Sequence, residues 1–180
     1  MLTQTTLLTK HYTAAQQGSG AFDGGKITEI KPIDFPGGTS KQQRVGPLFY
    51  WAWASAKGDG VIGMHPHKGF EILSYVLEGE IGHSDTKGNS SRVGAGGAQL
   101  MQTGSGISHQ EEMFGTKTEF FQIWFEPELQ PAMRRPPVYA DFGAEDFPLE
   151  TSDGVSVKKI IGSGGAVDLV APVQMRDISV

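Results

Sequence analysis

From Phe49 to Ile161 the chain repeats one local pattern, a run of aromatic and β-branched residues followed by a glycine-rich break. The runs are Phe49-Tyr50-Trp51-Ala52-Trp53-Ala54, Glu71-Ile72-Leu73-Ser74-Tyr75-Val76-Leu77, Thr118-Glu119-Phe120-Phe121-Gln122-Ile123-Trp124-Phe125 and Val155-Ser156-Val157-Lys158-Lys159-Ile160-Ile161. Between them lie Lys87-Gly88-Asn89, Gly94-Ala95-Gly96-Gly97 and Gly104-Ser105-Gly106. Such side chains fit a pleated, half-buried surface, and turn signals at roughly 8 to 12 residues are the rhythm of an all-β barrel or sandwich. No window keeps apolar residues at i, i+3, i+4 and i+7 without a Gly or Pro, so helix is excluded as the main element. The 25 glycines among 180 residues supply the turns that many short strands need. Asp153-Gly154, just before Val155, favours a turn.

A chain of 180 residues suits one domain with a core of its own. Residues 1–126 are read as that barrel, although nothing in 1–40 forms a recognisable motif. Residues 127–148 contain Pro127, Pro131, Pro136, Pro137 and Pro148. Proline has no N–H for a ladder, so this stretch reads as an extended connector and not a central strand. Residues 149–180 hold one convincing strand and the turn Gly162-Ser163-Gly164-Gly165, too little for a second barrel. They are expected to pack on the first barrel or to pair with a partner subunit through exposed edges, giving a homodimer.

A net charge of −5 argues against a polyanion binder, which needs a basic face to release counterions. The basic pairs Lys41/Arg44, Arg134/Arg135 and Lys158/Lys159 read as solvated surface, so no direct nucleic-acid contact is expected. No stretch approaches the ~18 consecutive apolar residues of a membrane helix, and the first residues lack a charged start followed by an apolar run. A cytoplasmic protein is the expectation. Without cysteine, disulfides, thiol nucleophiles and iron–sulfur clusters are excluded, and any metal must be held by nitrogen and oxygen.

Against that background the segment His65-Pro66-His67-Lys68-Gly69-Phe70-Glu71 stands out, since it holds two of only five histidines. On a strand, residues two apart share a face, so His65 and His67 would project together with Glu71. The same parity joins His109 and Glu111 in Ile107-Ser108-His109-Gln110-Glu111. Two such strands facing each other across a barrel would bring imidazole and carboxylate donors to one point. That donor set suits Fe(II), Mn, Co, Ni, Cu or Zn in an open site, whereas a closed structural zinc site usually includes Cys. Parity alone does not choose between Glu71 and Glu111 as the carboxylate ligand. His83 shares parity with Asp85 and reads as a structural hydrogen-bond partner of it; His11 has no functional case.

The runs HPHKGFEILSYVLEGEIGHSD and GGAQLMQTGSGISHQEE, and the spacing between them, resemble the N-terminal cupin of the pirin family. Lys68 stands where that family often has Arg. The likeness extends from about residue 40 to 172, where the proline-rich stretch and Val155–Gly165 resemble the passage into a second cupin. The resemblance implies a cupin-type double-stranded β-helix, a jelly-roll barrel, complete once and followed by a short C-terminal extension. It also implies one iron ligated by His65, His67, His109 and Glu111. Pirins normally carry two cupins, so whatever a second one contributes is expected to be absent or supplied by another subunit.

Two functions follow from the resemblance as expectations. One is an iron-dependent dioxygenase that opens a flavonol such as quercetin, with Glu111 as a ligand that also takes the substrate's hydroxyl proton. The other is a non-catalytic, metal- or redox-dependent protein that regulates a transcription factor or an enzyme. The implied partners are a small aromatic substrate in the first case and a regulatory protein in the second.

Overall fold

The computed structural model describes residues 9–180; residues 1–8 of the stretch expected to belong to the barrel lie outside it. Twelve strands carry the fold of the described residues. They are β1 (Gly18–Phe22), β2 (Ile27–Ile33), β3 (Leu48–Lys57), β4 (Gly60–His67), β5 (Glu71–Asp85), β6 (Ser90–Gly94), β7 (Ala98–Gln102), β8 (Ile107–Phe125), β9 (Val138–Phe142), β10 (Leu149–Ser152), β11 (Val155–Ile161) and β12 (Met175–Ser179). Helix is confined to short turns such as α1 (Leu129–Ala132), and no described helix is long and apolar enough to cross a membrane.

The two longest strands, β5 and β8, organise the barrel because each serves two faces. Glu71–Glu78 of β5 pairs with the second half of β8, and Glu80–Asp85 pairs with the first half, His109–Phe114. The register slips at the corner between Glu78 and Glu80. Gly79 sits there with φ 78°, and a Cβ on it would lie 2.4 Å from the Lys117 carbonyl oxygen, so the corner admits only glycine. One face runs β1-β2-β3-β8-β5-β7-β9, while β4 adds to β8 and β6 to β5 on the other. Buried Ile27, Ala54, Ala56, Val76 and Phe120 from the first face meet Ile81, Val93 and Met113 from the second, closing the jelly-roll barrel over an apolar plug.

Period-two burial follows the sequence pattern. In β3, Tyr50, Ala52, Ala54 and Ala56 point inward between more exposed neighbours. The run Glu71–Val76 is buried at every position, because Leu73 and Tyr75 face outward into a second core formed with Phe147, Ile160, Ile161, Val167 and Ala171. Burial on both faces is why Ile72 and Val76 on one side and Leu73 and Tyr75 on the other are all apolar, without alternation.

In the second core Phe147 comes from the proline-rich stretch, and Ile160, Ile161, Val167 and Ala171 come from the C-terminal extension. There β10, β11 and β12 form a separate three-stranded sheet that packs on the barrel of its own chain. Asp153 (φ 50°) and Gly154 (φ 80°) make the two-residue hairpin turn between β10 and β11. In the proline-rich stretch read as a connector, Val138–Phe142 pairs with β7 as β9, an edge strand. Pro136 and Pro137 precede the ladder, so no paired N–H is lost.

Glu71 ties the extension down. Its carboxylate, 2% exposed, accepts hydrogen bonds from Gln102 Nε2 at 2.7 Å and from the backbone N–H groups of Val170 and Ala171 at 2.8 and 2.9 Å. The strand parity that would place it beside His65 and His67 is broken at Gly69, whose φ of 89° turns the chain between β4 and β5. We predict that Glu71→Ala costs about 3 kcal/mol by leaving buried donors unpaired. Chemical denaturation should show that loss, and hydrogen exchange should show the Val170 and Ala171 amides opening well before the β5–β8 ladder.

Candidate metal centre

The site forms where β4 crosses the first half of β8. Pairing puts His65 directly opposite His109, and His67 opposite Ile107. Between Ile62↔Glu111 and His65↔His109 the register slips by one residue, a bulge at Gly63 and Met64 that re-aims the histidines into the barrel mouth. One ring nitrogen from each of His65, His67 and His109 then lies within 4.8 Å of the others, the one such group of three among the described residues. His109 is 2% exposed, while His65 and His67 are half-buried.

Local hydrogen bonds decide which nitrogens are free. His65 Nδ1 lies 2.8 Å from the Gly63 carbonyl oxygen, which can only accept, so Nδ1 carries the hydrogen and Nε2 is bare. That bare Nε2 faces His109 Nε2 at 3.1 Å. His67 Nε2 is buried with no hydrogen-bond partner. A buried polar atom without a partner costs free energy. Three convergent imidazole nitrogens, one unpaired and one a bare lone pair aimed at its neighbour, are donors that a divalent transition metal fits.

Electrostatics point the same way. Burial, with the neighbouring His65, holds the His67 ring down to about 4, and burial, with His65, His67 and His83 around it, holds His109 down to about 2. Both rings are therefore neutral, the form that binds a metal. His67 is walled by Trp124 and Phe70, with ring centroids 4.9 and 5.3 Å away, and those two rings stack on each other.

Glu111 occupies a polar layer just inside the histidines. Its carboxyl is 8% exposed, accepts a hydrogen bond from Gln122, and stands outside the three-histidine group. Burial and the charge of Glu29 push it up to about 8, although Gln122 opposes the shift. Glu29 in turn accepts from Tyr50 at 3.1 Å. With both oxygens of Glu71 engaged by the C-terminal extension, Glu111 is the carboxylate that shares the barrel interior with the histidines. His83, read as structural, does bond Asp85, at 2.9 Å, and burial holds the ring below its usual value despite that carboxylate. Sequence reasoning missed Tyr139, which stacks on His83 with ring centroids 4.0 Å apart, because it arrives from the proline-rich stretch.

Residues 49–125 match the family model described as Pirin. A pirin-like protein of Caulobacter vibrioides is 38% identical over 117 residues, covering 58% of this chain and 42% of the relative. A quercetin 2,3-dioxygenase of Escherichia coli is 47% identical over 68 residues, 37% of this chain and 29% of the relative. The chain thus spans less than half the length of these curated relatives. Among solved structures, a bacterial pirin of Escherichia coli in complex with nickel(II) superposes with a TM-score of 0.64 at 27% identity, over 81% of this chain and 68% of that one.

Buried titrating groups make the metal-free fold pH-sensitive. An unfolded histidine takes its proton near pH 6.5, while folded His67 and His109 stay bare to about 4 and about 2, so acidification below 6.5 protonates the unfolded chain first and destabilises the fold. Glu111 has the opposite sign: between 4.5 and about 8 the folded chain holds a proton that the unfolded chain has lost, so stability falls as pH rises. Two histidines outweigh one carboxyl below 6.5, and the carboxyl acts without them above it. We predict a melting temperature for metal-free protein that peaks near pH 6.5 and declines toward pH 8. In Glu111→Gln the alkaline decline should shrink to the part that Glu29, also raised by burial, supplies; an unchanged decline in that variant would contradict the assignment.

Proposed function

Because the chain belongs, through residues 49–125, to the pirin family, we propose that His65, His67 and His109 hold ferrous iron and that the chain opens a flavonol such as quercetin with dioxygen. The observation that carries this reading is the convergence of a ring nitrogen from each of three histidines, with His67 Nε2 buried and without a partner. The naming of a relative as quercetin 2,3-dioxygenase and the nickel(II) bound to the Escherichia coli pirin support it. When bound, the metal supplies Lewis acidity and a redox-active centre.

The remaining work falls to the chain. Gly63 fixes the His65 tautomer, and Trp124 with Phe70 keeps water from the inner side of His67. Glu111 is protonated at neutral pH in the metal-free chain; released from Gln122 and deprotonated beside a bound cation, it would complete the ligand set and could then take the proton of the flavonol hydroxyl. An open depression of about 470 Å³ beside His67, lined also by Lys68, Thr86 and Ser108, has the size of a small-ligand site with polar groups to orient hydroxyls. The exposed edges of β10 and β12 are where we place the contact of a homodimer.

Protein loaded anaerobically with Fe(II) should consume quercetin and dioxygen in equal amounts. His109→Ala should bind less than about a tenth of an equivalent of iron and lose turnover with it. A fully loaded protein without turnover would contradict the oxygenase and favour the metal-dependent regulatory protein.

A further inference from the structure

We propose that Asp85 and His83 are positioning residues that place the hydrogen of His109 on Nδ1, leaving Nε2 bare for the metal. The inference rests on the metal reading above and explains how this chain prepares its most buried ligand.

A line of contacts runs from the β5 hairpin to the centre. Asp85 Oδ1 accepts from the backbone N–H groups of Lys87 at 2.8 Å and Asn89 at 3.1 Å. Its Oδ2 accepts from Asn89 Nδ2 at 2.8 Å and meets His83 Nε2 at 2.9 Å. A carboxylate surrounded by donors has no hydrogen of its own to give, so His83 donates through Nε2. A neutral His83 then has an accepting Nδ1, and that atom lies 3.4 Å from His109 Nδ1. A hydrogen between them comes from His109, and it leaves His109 Nε2 and the bare His65 Nε2 as two lone pairs facing each other across 3.1 Å, a repulsion that a cation relieves.

The reverse arrangement, with His109 donating to His65, would leave the two Nδ1 atoms facing each other without a hydrogen or turn a bare His83 Nε2 onto the Asp85 carboxylate. The His83 ring is held for this task from its face. Tyr139 stacks on it with an interplanar angle of 10°, and the Tyr139 hydroxyl is pinned by Ser91 at 2.7 Å. His83 is 4% exposed, so water cannot substitute for either partner. Outer partners of this kind fix a ligating ring's tautomer and typically carry a factor of about 10 to 100 in metal affinity.

Asp85→Asn tests the direction of the relay. Because Oδ1 is engaged by two backbone donors, the asparagine should keep its carbonyl oxygen there and turn its NH₂ toward His83, with the half-buried Asn89 amide flipping to accept from it. That reverses every hydrogen on the line and leaves His109 as the Nε2–H tautomer. Nitrogen-15 spectra of metal-free protein should show His109 protonated on Nδ1 in the wild type and on Nε2 in Asp85→Asn. Nickel(II) titration should show affinity weakened by about 10- to 100-fold, with the metal-free melting temperature little changed.

His83→Phe keeps a ring for Tyr139 but offers no acceptor, and should weaken nickel(II) binding comparably. His83→Gln, whose amide oxygen can accept from His109, should recover most of the affinity. This pair decides the matter if Asp85→Asn does not fold. Wild-type His109 protonated on Nε2, or His83→Phe with wild-type affinity, would overturn the proposal. Failure of the wild type to bind nickel(II) would overturn the metal reading instead, while the nitrogen-15 spectrum still reports where the hydrogen sits.

Discussion

The pairing of His65 with His109 across β4 and β8 is the constraint on which the rest of the site depends. It sets two imidazole nitrogens 3.1 Å apart, one of them already committed as a bare lone pair by its neighbour's hydrogen bond to a carbonyl. A third ring, His67, adds a nitrogen that no protein group satisfies. Protein interiors tolerate such unmet groups at a cost, and they concentrate where function demands them. Around this point the fold is arranged in depth: three histidines at the mouth, a polar layer of Glu111, Gln122, Glu29 and Tyr50 behind them, and an apolar plug of Ile27, Met113 and Phe120 at the far end.

Rigidity for that arrangement comes from two long strands that turn the barrel corner together. Since β5 and β8 each contribute to both faces, a shift of either would move the His83–Asp85 pair and the His109–Glu111 pair at once. The C-terminal extension reinforces the same strands from outside. It buries Leu73 and Tyr75 on the outer face of β5 and engages Glu71 at the start of that strand. The carboxylate that follows the paired histidines in sequence is thus spent on holding the chain together, and the one on β8 is left to the site.

Much of this was legible in the order of residues. The glycine breaks and aromatic runs announced the strands, Asp153-Gly154 marked its hairpin, and the parity of His109 with Glu111 held because β8 is unbroken there. Parity failed for Glu71 because a positive-φ glycine intervened, and local alternation carries no information past such a turn. Residues 18–33, unreadable alone, form β1 and β2 because β3 offers them an edge. Tyr139 and the packing of β11 on the barrel depend on contacts between residues far apart in sequence, which no local pattern encodes. The bulge at Gly63, which sets the angle of His65, is likewise a property of the pairing of two strands and not of either one.

The most direct test of the account is anomalous diffraction from a crystal of the iron-loaded protein, with data collected on both sides of the iron absorption edge. The account predicts a single anomalous peak about 2 Å from one nitrogen of each of His65, His67 and His109. A density map without a peak there, or a peak bound to other side chains, would contradict it.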